Sequence, residues 1–193
     1  MDKSQFSICA IFANKAPLSN VEPPVTSLPD ELAAAITKHN IGGVILFSEN
    51  TQSIEQTINL NSQLQQAASK SSSKLPLFIS IDQEGGRVAR LPRDVATSFT
   101  GNMSIGATYK KHGTKYATQI ATVIAKELKS LGINVNYAPT VDVNMNPDNP
   151  VINVRSFGET RLWLALGAAW VAGYENNGVI TSLKHFLATV IPT

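Results

Sequence analysis

Short apolar runs and longer apolar stripes at helical spacing alternate along the chain. A continuous apolar run occupies residues 42–47, which is typical of a strand buried on both faces, and further strands are predicted at residues 75–82, 133–139 and 179–186. An earlier apolar run at residues 6–13 precedes a proline-containing segment, so residues 1–24 are otherwise predicted to be irregular. The pattern predicts about five strands.

Helices are predicted between these runs. Residues 27–30 and residues 53–56 each carry a capping signal that predicts the start of a helix. Two further helices are predicted to end at Gly132 and Gly178. Their apolar stripes are Tyr116, Ile120, Val123, Ile124, Leu128 and Leu131 in the first, and Leu162, Leu166, Trp170 and Tyr174 in the second.

Strands that alternate with helices predict an α/β fold with a parallel sheet, either open or closed into a (β/α)8 barrel. Polar candidates stand at or just after strand ends, at Asp82, Asp142 and the pair Lys184 and His185, as expected for a barrel site. The glycines after Asp82 lack the G-x-G-x-x-G spacing of a dinucleotide-binding open sheet. We therefore expect a partial TIM barrel, because a complete one needs about 250 residues.

Composition and charge narrow the choice of partners. The chain is 43% hydrophobic and 16% charged with a net charge of +2, which favours neither nucleic acid nor an anionic membrane as partner. No run reaches the roughly 18 apolar residues of a membrane span. A cytoplasmic location is expected, with export by a weak N-terminal signal as the alternative, since Lys3 precedes the first apolar run but Asp2 offsets its charge.

Three polar clusters carry candidate chemistry. Residues 81–90 place Asp82 at a strand end beside two glycines and two arginines, which suits a ligand rich in hydroxyl groups. Residues 150–158 form a loop around Arg155. Residues 182–186 contain Lys184 and His185, which point to opposite faces unless one of them lies at the end of its strand. Each cluster by itself also fits a purely structural role.

Together the clusters resemble the N-terminal domain of glycoside hydrolase family 3, specifically its bacterial β-N-acetylhexosaminidase branch. The matching text is residues 42–47, 82–90, 134–142, 153–157 and 184–186, and Asp-Gln-Glu-Gly-Gly-Arg-Val at 82–88 is highly specific. The resemblance implies an incomplete barrel domain at residues 25–186, after the irregular segment 1–24.

The resemblance also implies a sugar site and a reaction. Asp82 would hold sugar hydroxyls in the −1 subsite. The rest of the sugar-binding shell would be Arg90, Arg155, Lys184 and His185. Family members are retaining, with an aspartate nucleophile that forms a covalent glycosyl-enzyme and, in this branch, a loop histidine as acid/base. Neither catalytic residue is assigned to this chain, and Asp142 is expected to be structural.

The implied parent enzyme removes terminal β-linked N-acetylglucosamine, with peptidoglycan fragments from wall recycling as the expected source. This chemistry needs no cofactor, and His39, His112 and His185 lack metal-ligand spacing among themselves. Two alternatives stay open. One is a β-glucosidase or β-xylosidase of the same family, and the other is a non-catalytic sugar-binding module that uses Asp82, Arg90 and Arg155.

The last residues of the chain depart from the family sequence. After residue 186 the family continues Pro-Gly-His-Gly-Asp-Thr, whereas this chain reads Leu-Ala-Thr-Val-Ile-Pro-Thr at 187–193. Deleting one cytosine from the proline codon, with suitable synonymous codons, yields every residue of this tail. We interpret residues 187–193 as an out-of-frame tail. A barrel without its later strands is expected to be inactive and to aggregate or self-associate through the exposed sheet edge.

Sequencing the gene from the Lys184 codon into the downstream region tests this interpretation. We expect text that resembles the family either in frame, with the cytosine restored, or in the shifted frame, with the deletion confirmed. Downstream text that resembles the family in neither frame would contradict the frameshift and favour the sugar-binding module.

Overall fold

The structure is a computed structural model that describes residues 24–144, 146, 148–158 and 162–185. Four parallel strands form one sheet in the order β1-β2-β3-β4. The strands are β1 (Gly43–Leu46), β2 (Phe78–Ile81), β3 (Val135–Asn136) and β4 (Ile180–Thr181). The helices are α1 (Asp30–His39), α2 (Ile54–Ser69), α3 (Asn102–His112), α4 (Lys115–Ser130) and α5 (Leu162–Glu175).

The predicted α/β class is confirmed, since each strand lies beside the strand that precedes it and runs parallel to it. Val44, Leu46, Ile79 and Ile81 have no solvent exposure, as expected for strands covered on both faces. The strand-like run at residues 6–13, which would bring the total to five, lies outside the described residues. The tail at 187–193 lies outside them as well.

The two predicted capping signals have different outcomes. The Ser53 side chain accepts a hydrogen bond from the Gln56 backbone N–H at 3.2 Å, so the cap of α2 is confirmed. The predicted cap at residues 27–30 is wrong, because α1 begins at Asp30 with Pro29 in the N-cap position and no capping side chain. Acidic Asp30 in the first turn interacts favourably with the helix dipole there instead.

Helices α4 and α5 pack together through small residues. The predicted stripe of α4 is wrong at Tyr116 and Val123, which are exposed. Ala117 and Ala121 are buried in their place, and a Cβ added at Gly173 of α5 would lie 2.7 Å from the Ala121 Cβ. The helices therefore approach more closely than large side chains would permit. The predicted α5 stripe is confirmed at its three described side chains, Leu166, Trp170 and Tyr174, which are buried.

Helix α3 was not predicted, because its contact with the rest of the fold depends on the lack of a side chain. A Cβ added at Gly106 would lie 1.8 Å from the Phe157 carbonyl oxygen, so only glycine allows this approach. Ile105 is the only large apolar residue that the helix buries within the described part of the chain. The first residue of α3, Asn102, donates a hydrogen bond to the Arg155 carbonyl oxygen at 2.8 Å. The helix thereby supports the loop that carries Arg155.

Two asparagines on and beside β3 tie this short strand to β2. The Asn134 amide accepts from the Ile79 N–H at 2.8 Å and donates to the Leu77 carbonyl at 2.9 Å. The Asn136 amide accepts from the Gln83 N–H and donates to the Gln83 carbonyl, both at 2.9 Å. These side chains add to the main-chain ladder and extend strand pairing up to the site.

No described helix is long and apolar enough to cross a membrane.

Candidate functional site

The three polar clusters meet at the carboxyl ends of β2, β3 and β4. They surround an open cavity of about 370 Å³ lined by Asp82, Glu84, Val88, Arg90, Tyr137, Arg155, Ser182, Lys184 and His185. All five site residues predicted from the sequence are among these. Their convergence follows from the parallel sheet, which brings the ends of separate strands to one edge.

The end of β2 divides its polar residues between the cavity and the protein interior. Asp82 directly follows β2, and its Oδ1 lies 2.5 Å from the Lys184 Nζ. The next side chain, Gln83, is buried, and its Oε1 accepts from the backbone N–H groups of Arg90 at 2.7 Å and Leu91 at 3.2 Å. Gln83 thus folds the segment 84–91 back towards the sheet and places Arg90 at the cavity.

The turn after Glu84 requires glycine. Gly85 has φ of +83° and Gly86 has φ of +59°, both in the region that side chains rarely adopt. A Cβ at Gly86 would also lie 2.8 Å from the backbone of Gly101. The pair therefore permits the segment to reverse directly below the cavity.

Glu84 is the buried centre of the site. Its side chain is 2% exposed and receives two hydrogen bonds from Arg155, from Nε to Oε2 at 2.9 Å and from Nη2 to Oε1 at 2.8 Å. The Lys184 Nζ lies 2.6 Å from the same Oε1. Sequence analysis did not assign Glu84 a role, although Asp82 alone could not have balanced the cations around it.

The charges around Glu84 shift proton affinities in opposite directions. Burial by itself raises the pKa of the Glu84 carboxyl, but the Arg155 hydrogen bond and the Lys184 charge outweigh burial and lower that pKa. The hydrogen bond to Glu84 raises the pKa of Arg155. Glu84 and Arg155 therefore both favour their charged forms.

His185 is oriented by Asp142, a carboxylate that is 1% exposed and follows β3. The Asp142 Oδ2 accepts from the His185 backbone N–H at 3.1 Å and lies 2.7 Å from the ring Nδ1. The Asp142 carboxylate thus contacts both the backbone and the ring of His185. The other ring nitrogen, Nε2, has no hydrogen-bond partner among the described residues. This contact fits the structural role expected for Asp142.

Arg90 is the remaining cation of the cavity. Its guanidinium carbon lies 5.9 Å from the centre of the Phe47 ring, within the range of a cation–π contact. It forms no ion pair with any described residue, and its buried Nε has no hydrogen-bond partner there. Arg90 can therefore donate to a ligand without first breaking a salt bridge.

The arrangement suits a neutral, hydroxyl-rich ligand. Asp82 keeps its Oδ2 as an acceptor, Lys184 keeps one N–H, and Arg90 keeps its guanidinium donors. Within the described residues, no group of three or more histidine, cysteine or acidic side chains is placed to hold a metal ion. The site can thus bind and orient hydroxyl groups by paired donors and acceptors.

The ion pairs of Glu84 make the free energy of unfolding decrease at acidic pH. Because its folded pKa lies below the unfolded value of about 4.3, its ion pairs contribute their full stability above that value and lose it as pH falls through the folded pKa. In Glu84→Gln we expect a neutral-pH loss of about 3–5 kcal/mol, because the variant leaves buried cations unpaired, and a weaker acid dependence.

Urea unfolding over a pH series measures both effects. Glu55→Gln, an exposed change on α2, serves as control and is expected to retain the acid dependence of the unmodified chain. An unchanged acid dependence in Glu84→Gln would contradict the assignment.

Comparison with known proteins places this geometry in a family. Residues 16–190 match the Glycosyl hydrolase family 3 N terminal domain. Beta-hexosaminidase A of Pseudoalteromonas piscicida is 59% identical over 174 residues, which are 90% of this chain and 29% of that protein. Beta-N-acetylglucosaminidase/beta-glucosidase of Cellulomonas fimi is 32% identical over 162 residues, which are 83% of this chain and 26% of that protein. The chain thus spans less than a third of the length of either relative.

A solved structure agrees with these matches. The family 3 β-N-acetylglucosaminidase of Paenibacillus sp. str. FPU-7 superposes with a TM-score of 0.78 at 42% identity, covering 84% of this chain and 30% of that one. The likeness confirms the predicted partial (β/α)8 barrel. The sequence match, the parallel sheet and the cavity at the strand ends together show that this chain belongs to glycoside hydrolase family 3.

Proposed function

We propose that this chain supplies the sugar-binding part of a retaining β-N-acetylhexosaminidase that removes terminal β-linked N-acetylglucosamine. The observation that carries the proposal is the Asp82 carboxylate, held by Lys184 beside Arg155 at the strand ends. The names of the Pseudoalteromonas relative and of the Paenibacillus structure support the same activity. Peptidoglycan fragments are the proposed source of the sugar.

Balanced charge explains how a neutral sugar would be bound. Asp82 and Glu84 offset Arg155 and Lys184, so the four-charge cluster is neutral as a whole. A sugar hydroxyl can donate to the second Asp82 oxygen while its neighbour accepts from Lys184. Hydrogen bonds to charged groups are each worth about 1.5–3 kcal/mol, so a few of them give useful affinity. Arg90 and His185 are proposed to complete this shell.

Bond cleavage requires further groups. A retaining glycosidase needs one carboxylate as nucleophile and another group as acid/base. Each carboxylate beside the cavity already has a cationic or imidazole partner, as Lys184 pairs with Asp82, Arg155 with Glu84, and His185 with Asp142. We infer that the described residues bind the sugar and that catalytic groups outside them cleave it.

The cytoplasmic location stays a prediction, because residues 1–23 lie outside the described part.

A second candidate is a β-glucosidase, alone or combined with the hexosaminidase activity. The name of the Cellulomonas relative includes both activities, which specifically favours this alternative over other hydrolases. The two activities differ in the sugar 2-substituent, an N-acetyl group or a hydroxyl. A non-catalytic sugar-binding module would use the same cavity without turnover.

A substrate panel tests the proposal. In a full-length family protein that contains these residues, we expect turnover of a chromogenic N-acetyl-β-glucosaminide in preference to the glucoside and the xyloside. Asp82→Asn should lower kcat/KM about 10- to 100-fold, because it weakens charged hydrogen bonds to the sugar. Exposed Asp94→Asn is the matched control and should leave kcat/KM unchanged.

Each alternative has its own outcome in this panel. Preference for the glucoside, or comparable turnover of the glucoside and the N-acetylglucosaminide, identifies the second candidate. Preference for the xyloside identifies a β-xylosidase of the same family, and binding without turnover identifies the module. The purified chain of 193 residues is expected to show no turnover, and reproducible turnover free of contaminating enzyme would contradict our assignment of cleavage to other residues.

Self-association is proposed for the β4 edge of the sheet. Ile180, Leu183 and Leu164 are 52%, 55% and 66% exposed. Leu164 and Leu183 also line a shallow, mainly apolar hollow of about 290 Å³ beside α5. Among the described residues no strand pairs with the outer edge of β4, and an unpaired parallel edge with apolar neighbours is a template for pairing with another chain.

Sedimentation velocity at several protein concentrations tests this surface. We expect oligomers whose fraction grows with concentration, and Leu164→Lys should reduce that fraction because charge disfavours burial of the hollow. Leu75→Lys, at a residue that is 49% exposed outside this hollow, is the control. An equal effect of both substitutions, or of neither, would refute the proposed surface.

A further inference from the structure

The Glu84 carboxylate borders the ligand cavity but is almost fully buried and has little capacity to bind a ligand itself. It is 2% exposed, and three hydrogen-bond contacts from Arg155 and Lys184 occupy its two oxygens. A carboxylate offers about four acceptor positions, so most are already used inside the protein. Any effect of Glu84 on a ligand must therefore pass through the two cations.

Both cations depend on Glu84 for their position. Lys184 comes from the chain beyond β4, and its Nζ lies between the Asp82 Oδ1 at 2.5 Å and the Glu84 Oε1 at 2.6 Å. Arg155 comes from the loop beyond β3 and shares that Oε1. Apart from Glu84, the only other described acceptor for its guanidinium is the Val151 carbonyl, at 3.2 Å.

The balance of charge also makes the two cations depend on Glu84. With Glu84 ionised, two carboxylates balance the two cations. Without its charge, Lys184 would pair with Asp82 alone, Arg155 would keep only the longer-range attraction of Asp142 and Asp82, and the two cations would repel each other. Asp82 would then be drawn into compensating both cations, and its second oxygen would be less available to a ligand.

We propose that Glu84 is a positioning residue of the sugar subsite, which holds Arg155 and Lys184 so that their remaining N–H groups and the second Asp82 oxygen face one sugar ring. This inference rests on the proposed function and deepens it. Glu84 does not touch the sugar. Substitution of Glu84 affects the sugar only through the two cations. The loss of affinity from this substitution therefore cannot add fully to the loss from substituting either cation.

Two substitutions of Glu84 separate charge from shape. Glu84→Gln keeps the length of the side chain but replaces one acceptor oxygen with an NH₂ donor that faces a cation. Glu84→Asp keeps the charge but shortens the side chain by one methylene. We expect N-acetylglucosamine to bind the Gln variant at least 10-fold more weakly than the unmodified chain. The Asp variant should recover part of this loss.

A double-mutant cycle on the purified chain tests the coupling. N-acetylglucosamine affinity is measured by NMR titration for Glu84→Gln, Arg155→Met and the double variant. We expect the double variant to bind within about twofold of Arg155→Met alone, whereas independent roles would multiply the two losses. Glu127→Gln is the matched control, since this partly buried carboxylate of α4 bonds Thr97 away from the cavity.

A second readout requires no sugar. Exchange of the Arg155 Nε–H with solvent, followed by ¹⁵N NMR, reports the contact with Glu84 directly. We expect slow exchange in the unmodified chain and in Glu127→Gln, and fast exchange in Glu84→Gln. If Glu84→Gln does not fold, Glu84→Asp takes its place in both readouts, with a smaller effect in the same direction.

The outcomes separate this inference from the proposed function. Multiplied losses in the cycle, or an unchanged affinity in a folded Glu84→Gln protein, would overturn the positioning role. If the unmodified chain does not bind N-acetylglucosamine, the proposed function fails in this chain, and Nε–H exchange decides the inference alone. Equal exchange in the unmodified and Glu84→Gln proteins would then overturn it.

Discussion

A carboxylate removed from water is costly unless cations come with it, and the arrangement of this site follows from that constraint. The Glu84 side chain is almost completely buried, and a buried unpaired ion costs several kcal/mol. Arg155 and Lys184 provide the compensation, although they lie far from Glu84 in the chain. The loop after β3 and the end of β4 must therefore both close onto the turn after β2. The same closure forms the cavity.

Three consecutive residues divide the work of this region because their side chains point in different directions. Asp82 faces the cavity, and Gln83 holds the backbone of the following segment. Glu84 compensates the charges of Arg155 and Lys184. Two glycines then reverse the chain. A substitution among these residues is thus expected to affect binding, loop conformation or electrostatics according to its position, even though all of them are polar.

Regular elements were predictable where a local pattern determines them. The runs at residues 42–47 and 75–82 became the largely buried strands β1 and β2, and the stripe of Leu166, Trp170 and Tyr174 became α5, because burial of apolar side chains leaves a pattern that the sequence displays. Helix α3 lacks such a pattern, since Gly106 packs by close backbone approach. The five proposed sugar-binding residues were assigned from the resemblance to the sequence motifs of glycoside hydrolase family 3. Glu84 was missed because burial of one carboxylate among several depends on contacts between distant segments.

The sequential order of the strands has a consequence for synthesis. Consecutive strands lie side by side, so each of β2, β3 and β4 finds a neighbour that has already been synthesised. Domains generally fold as units, but the N-terminal part of a chain is available for pairing first during synthesis. A nascent chain of this topology can therefore add one strand and helix at a time to a growing sheet. The ionic contacts of the cavity close last, once Lys184 has left the ribosome.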